Sequence, residues 1–425
     1  MERYERYKDS GVKWIGEIPG HWGMYKLKYL FKLNKNKNIG NKCNTILSLS
    51  YGKIKIKKDL NEGLTPKSYE SYQLLSTGDI VIRSTDLQND HTSLRTGLVK
   101  IEGAITSAYI GLKNLDMSLC DSRFYHYFLH DWDITKAIYN QGKGLRQSLN
   151  WDDIKNMLMP VLDISEQTAI ANYLDSVTSK IDEAISQQQK MIDLLNERKQ
   201  IIIQNTVTKG LDPNAKMKDS GVEWIGEIPE DWDVYQLKHF CTYNNESLSE
   251  KTNKYLKIKY IEISDVNFEN GVIRFEEYNF SNAPSRARRI ARKGDIIIST
   301  VRTYLKSIAS IDFDYIIVST GFCVIRSKNI NTKFLKYAVS SDSFMTNIIR
   351  NSVGASYPSI SSNTLMGQKF PVPHLSEQKR IAGYLDDTTS HIDSSISQCE
   401  KMISLLQERK QIIINDVVTG KVKVI

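Results

Sequence analysis

SEQTAIANYLDSVTSKIDEAISQQQKMIDLLNERKQIIIQNTVT occupies residues 165–208, and SEQKRIAGYLDDTTSHIDSSISQCEKMISLLQERKQIIINDVVT occupies residues 376–419. Aligned without a gap, the two stretches differ at 15 of 44 positions. Apolar residues of the first copy fall at Ile170, Leu174, Val177, Ile181, Ile185, Ile192, Leu195 and Ile202. Steps of three and four, or multiples of them, mark one face of a helix. Neither copy contains proline, and Gly383 is the one glycine inside either. Ser165 and Ser376 stand before the runs as candidate N-caps. A helix of ~40 residues is ~60 Å long, longer than a small domain is wide, so each needs a partner along its length. The other copy is that partner. The expected pairing residues are Ile170, Leu174, Ile181, Ile185, Ile192 and Leu195 on one helix, and Ile381, Leu385, Ile392, Ile396, Ile403 and Leu406 on the other. The end of the first helix, around Val207, is expected to be the least closely packed.

A second repeat fixes the organisation. Residues 8–22 read KDSGVKWIGEIPGHW and residues 218–232 read KDSGVEWIGEIPEDW. The offset is 210 here and 211 for the helices, so the chain is a tandem duplication of short motif, variable block and long helix. Trp22, Tyr25 and Leu27, with Trp232, Tyr235 and Leu237, read as an apolar clasp onto each domain. The variable blocks, about 28–160 and 238–371, resemble each other only faintly. Each contains a Gly-Asp turn before a β-branched run: Gly78-Asp79-Ile80-Val81-Ile82-Arg83-Ser84 and Gly294-Asp295-Ile296-Ile297-Ile298-Ser299-Thr300. Such a pattern is a turn leading into a buried strand. Further strand candidates are Ile105–Leu112, Tyr260–Ile263 and Ile316–Ile325. Short strands with a few helices give an α+β class, with blocks of ~130 residues. The expected divisions are residues 1–160 for a first globular domain, 161–210 for a first long helix, 211–372 for a second domain and 373–425 for a second helix. Residues 209–217 join the halves, with Gly210 as helix stop.

The chemistry-bearing patterns are sparse. The 425 residues are 40% hydrophobic and 25% charged, as in an ordinary globular protein. The chain has no uninterrupted apolar run of ~18 residues. Five scattered cysteines without a CxxC pair fit a reducing compartment. No two prolines are adjacent, which removes the loop that adenine-modifying enzymes use to grip the amine, and no Gly-Lys precedes Ser or Thr as a phosphate loop requires. Glu197-x-Lys199 and Glu408-x-Lys410 lie deep in the helices and read as solvated helix charge rather than a nuclease motif. His126 and His130 share a helical face without a third ligand, which favours packing over metal. A self-contained nuclease or methyltransferase is therefore the weaker reading, and a coiled-coil scaffold without DNA leaves the globular blocks unexplained.

The net charge of +8 favours a polyanionic partner. Arg286, Arg288, Arg289, Arg292 and Lys293 fall within eight residues, with Arg302, Tyr304 and Lys306 nearby. Arginine forks onto guanine edges or clamps phosphates. The first block carries Lys53, Lys55, Lys57 and Lys58, then Arg83, Arg95, Lys143 and Arg146. For the alternating lysines a solvated charge run is an equal reading. Gly142-Lys143-Gly144 and Gly354-Ala355-Ser356-Tyr357 occupy matching places, either as plain turns or where backbone approaches phosphate. The candidate DNA-binding set is Arg83, Arg95, Lys143, Arg146, Arg286, Arg288, Arg289, Arg302, Lys306 and Tyr357.

Pro371-x-Pro373-x-x-x-Glu377-Gln378-x-x-Ile381-Ala382-x-x-Leu385-Asp386 opens the second helix. Pro160, Glu166, Gln167, Ile170, Ala171, Leu174 and Asp175 repeat it, with Leu162 in place of the second proline. With the WIGEIPxxW stretches and the Gly-Asp-Ile strands, the whole chain resembles the specificity subunit of Type I restriction–modification systems. The resemblance implies an α+β protein in which two target-recognition domains are separated by two long antiparallel coiled-coil helices, as a pseudo-two-fold tandem repeat. Each domain would read one half of a bipartite duplex DNA site, with the helices as a ruler. Two modification subunits, carrying S-adenosylmethionine and the adenine-methylating loop, would dock on helices and domains, and restriction subunits using ATP and Mg would join them. The chain itself would be non-catalytic, cytoplasmic, and without cofactor, metal or membrane contact. The bases read do not carry over, because recognition domains diverge most.

Overall fold

A computed structural model of the chain describes residues 2–57, 68–88, 94–139 and 148–424. The chain divides into two compact units, Met1–Gln189 with Lys401–Ile425, and Lys190–Glu400. The 44-residue repeats form single helices, Ile164–Lys209 and Leu375–Val418. Both begin one residue ahead of the serines expected as caps, so Ser165 and Ser376 sit in the first turn instead. Each helix stops on a left-handed glycine, Gly210 at φ 74° and Gly420 at φ 73°. Asp182 meets Lys410 in one unit, and Lys199 meets Asp393 in the other. Residue numbers rise on one helix as they fall on its partner, so the pair is antiparallel.

Each unit takes the first part of one helix and the last part of the other. In the first unit, Ile170 and Leu174 share a core with Ile414, Val417 and Val418, together with Trp22, Phe124, Phe128 and Trp132. In the second, Ile381 and Leu385 share a core with Ile203 and Val207, together with Trp232, Phe334 and Phe344. The expectation of a loosely packed helix end is therefore overturned: Val207 is 2% exposed and Val418 is fully buried. The middle of the seam is the more open part. Ile181, Ile192 and Ile392 keep 8% exposure, and Ile185, Leu195, Ile396, Ile403 and Leu406 are only half-buried. Helix ends lie against a globular domain, whereas mid-helix residues have only the other helix to cover them. Among the described residues, no helix is long and apolar enough to cross a membrane.

The faintly similar blocks contain the same sheet. In the first unit the strand order is Phe31–Leu33, Ile110–Asn114, Ile80–Ile82, Thr96–Leu98, every pair antiparallel. In the second it is Cys241–Tyr243, Phe322–Ser327, Ile296–Ser299, Ile308–Ser310, again antiparallel throughout. The strand after each Gly-Asp turn is central and wholly buried, as the β-branched runs predict. The second unit adds a four-stranded sheet, Glu276–Asn279, Lys257–Ile261, Ile316–Ser319, Ala287–Ala291. Inside the variable block of the first unit, the described residues instead pair Leu47–Ser50 with Lys53–Ile56 and Gln73–Leu75 with Gly103–Ile105. Two expected strands are each broken. Ile105–Leu112 splits at a turn in which the Tyr109 amide donates to the Thr106 carbonyl. Ile316–Ile325 divides at Thr320-Gly321 and feeds two different sheets, and a Cβ at Gly321 would stand 2.5 Å from Ile263 Cδ1. Tyr260–Ile263 begins inside Lys257–Ile261 and ends in a 3-10 turn.

Ile414 is 1% exposed in the first core. Ile414→Ala is expected to destabilise that unit by about 2–5 kcal/mol and to speed amide exchange in the distant helix Ser122–Ile134, which hydrogen-exchange mass spectrometry reads directly. Unchanged exchange there would remove the helix end from that core.

Candidate nucleic-acid interface

The repeated residues build the mounting on which each domain sits. The Trp22 indole donates to Glu166 at 3.2 Å and the Trp232 indole to Glu377 at 3.0 Å, and both rings are fully buried. Gln167 accepts from the Asp121 amide at 2.9 Å and donates to the Leu162 carbonyl at 2.8 Å. Gln378 likewise accepts from the Asn331 amide at 2.9 Å and donates to the Pro373 carbonyl at 2.8 Å. Tyr127 donates to Asp175 and Tyr337 to Asp386, both at 2.8 Å. Gly23–Lys26 pairs with Leu158–Val161, and Asp233–Gln236 with Lys369–Val372. The clasp expected of Trp22, Leu27, Trp232 and Leu237 is present, while Tyr25 and Tyr235 stand outside it, 56% and 40% exposed.

One sequence reading changes here. Lys199 and Lys410 are not freely solvated: each donates at 2.6 Å across the helix pair, to Asp393 and Asp182. His126 and His130 are half-buried and stacked on one helical face, with ring centroids 6.0 Å apart, as packing requires. Burial pushes their pKa values down to about 3 and about 4, so both imidazoles are neutral at pH 7.

In the second unit the basic cluster separates into three roles. Arg288 lays its guanidinium over the Phe280 ring at 4.8 Å. Arg289 turns inward to Asn244 Oδ1, at 2.8 Å, and the Phe322 carbonyl, and burial lowers its pKa. Arg292 joins a four-membered network that no local sequence pattern announces. Arg326 forks onto Asp295 at 2.7 and 2.8 Å and reaches Glu246 at 2.8 Å. Glu246 also accepts from Arg292 at 2.7 Å. Lys306 is tied to Asp342 and lies over the Phe268 ring, 5.6 Å from its centroid.

The structure brings Arg286, Arg302 and Tyr357 to one exposed edge. The Thr320 amide donates to the Arg286 carbonyl, the Thr300 amide to the Gly321 carbonyl, and the Ile360 amide to the Thr300 carbonyl. Those bonds lace loops from four parts of the block into a continuous rim. On it the Arg302 guanidinium lies over the Tyr357 ring at 5.2 Å, with Tyr304 exposed beside it. In the first unit Arg83 is half-buried at a strand end. Arg95 is fully buried: its guanidinium donates to the carbonyls of Arg83, Thr85 and Asp86 at 3.2, 2.8 and 3.0 Å. It therefore holds a loop in place rather than facing a ligand. Lys143, Arg146 and Lys58 lie outside the described residues.

A domain built twice on one scaffold, with an exposed basic and aromatic rim on the second copy and with each unit drawing on both helices, defines a tandem recognition protein. Residues 229–400 match the Type I restriction modification DNA specificity domain. The chain is 24% identical to the Type I restriction enzyme MjaVIII specificity subunit of Methanocaldococcus jannaschii, across 98% of this chain and 97% of that one. It is 27% identical to the putative type I restriction enzyme MjaX specificity subunit of the same organism, across 98% of both. A chain from a solved structure of type I R-M complex assembly and conformational transition shares the fold, with a TM-score of 0.69 at 15% identity over 95% of this chain and 99% of that one. Over nearly its whole length the chain is thus similar to specificity subunits of Type I restriction enzymes, and its second half carries the match to their DNA specificity domain.

The Arg292 and Arg326 guanidiniums hold the Glu246 carboxyl down, from 4.5 to about 2. A depressed acid contributes stability that is fully present above its unfolded value and fades as pH falls through its folded value. Glu246→Gln is expected to be less stable than the parent at pH 7, and to lose less stability between pH 4.5 and 2. Denaturant midpoints across a pH series compare the two slopes; identical slopes would show that the network carries no linkage.

Proposed function

We propose that the chain reads a bipartite duplex DNA site, one half-site per recognition domain, and holds two adenine-modifying subunits and the restriction subunits in register with it. S-adenosylmethionine, ATP and Mg would be supplied by those partners, with none held by this chain. The observation that carries the reading is the contrast within each half. The mounting residues make the same hydrogen bonds twice, while the blocks they carry differ in their second sheet and rim residues. A part built twice alike suits a symmetric pair of partners. A part built twice differently suits two different base sequences. Cationic rim residues would supply salt-dependent affinity, and base-edge contacts the discrimination.

Replacing residues 28–160 with the same block of another specificity subunit keeps the clasp strand Gly23–Lys26 and lets the donor block supply most of its partner, Leu158–Val161. In the assembled complex, the exchange is expected to change one half of the methylated motif and leave the other as it was. Sequencing of modified bases in cells carrying the chimera reads both halves at once. Simultaneous change of both halves would refute independent reading. A scaffold without a DNA role is excluded if the complex binds duplex DNA with an affinity that falls as salt rises.

A further inference from the structure

In both units the central buried strand runs into a turn containing a left-handed residue that is not glycine: Asp86 at φ 60° and Arg302 at φ 51°. The two positions are equivalent. Gly78, Asp79 and Ile80–Ile82 match Gly294, Asp295 and Ile296–Ile298 in sheet position. The Leu149 amide donates to the Ser84 carbonyl at 2.8 Å, as the Ile360 amide does to the Thr300 carbonyl at 2.9 Å. A residue with a Cβ is disfavoured in this conformation and keeps it only where its surroundings impose it.

The surroundings impose it by unrelated means. The Thr85 carbonyl accepts from the Arg95 guanidinium at 2.8 Å. Its counterpart, the Val301 carbonyl, accepts from the Ser299 hydroxyl at 2.6 Å. Arg95 and Ser299 are not matching residues: Arg95 matches Ser307, since the Arg83 amide donates to the Arg95 carbonyl and the Ser299 amide to the Ser307 carbonyl. One backbone shape is thus held by two different side-chain solutions, while the residue at its apex has changed from an acid to a base. Packing is not what has been kept; the direction in which the apex presents its side chain is. In the second unit that side chain is ready for use. The Arg302 guanidinium lies over Tyr357, whose loop is pinned by reciprocal bonds between Val353 and Ser359 at 2.8 and 2.9 Å. A stacked guanidinium loses less freedom on forming a forked contact.

Resting on the functional reading above, we propose that this apex is a specificity-determining position in each half: Arg302 reads a guanine edge in the second half-site, and position 86 sets a base in the first. Arg95 is a positioning residue for the first apex. The test uses the full complex with its modification subunits and reads the methylated motif genome-wide. Arg302→Ala is expected to make one guanine of the second half-site degenerate, with discrimination there falling about 5- to 150-fold and the first half unchanged. Arg302→Gln is expected to move the preference at that same position toward adenine, the base that glutamine forks onto; this variant also serves if the alanine form assembles poorly. Asp86→Asn is expected to alter the first half alone. Uniformly weaker binding with an unaltered motif would identify a phosphate contact and overturn the inference, as would an unaltered motif at full affinity. A parent complex that marks no bipartite site would instead overturn the functional reading.

Discussion

Everything in the first unit rests on apolar residues supplied by the far end of the chain. Ile414, Val417 and Val418 complete a core begun by Trp22, Phe124 and Leu174, and Ile203 and Val207 do the same for the second. Burying one such side chain contributes about 1.5–3 kcal/mol, so three of them amount to much of a domain's net stability of ~5–15 kcal/mol. The salt bridges Lys410 to Asp182 and Lys199 to Asp393 sit on the same seam but act mainly on register, since partly exposed ion pairs contribute little to stability. The constraint explains why the helix repeats have diverged so little. A change at Val418 is felt in a domain that is distant in sequence.

The helices, their antiparallel partnership and the duplication were legible because period and repetition are properties of the sequence itself. The central strands were legible for a related reason: Ile80–Ile82 and Ile296–Ile298 are continuous β-branched runs behind a Gly-Asp turn. The tightly packed helix ends were not, because an apolar stripe does not say whether a helix or a domain lies against it. The breaks at Thr106–Tyr109 and Thr320-Gly321 were missed because apolar runs there hide a turn with few turn residues.

The candidate rim was legible in part. Residue type singled out Arg286, Arg302 and Tyr357, and the fold brings them together from three separate stretches. Charge counting erred where tertiary partners decide a charge's use. Arg95 looks like any exposed basic residue until its three carbonyl partners are known. Arg292 loses its availability to Glu246, 46 residues upstream, where nothing in the local sequence announces it. Paired acids of this kind leave the net charge unchanged but decide which cations face outward.

The division of the chain also bears on how it is made. Translation releases residues in order, at roughly 5–20 per second. The unit Lys190–Glu400 is continuous in sequence, so all its core residues have emerged once its last residue has. The unit that starts first must wait for Lys401–Ile425, a delay on the order of 10–45 s at those rates. During that interval the sockets for Ile414, Val417 and Val418 stand open on a nascent chain. The N-terminal unit is therefore the last to close, and a ribosome that stops early leaves it exposed to chaperones and proteases.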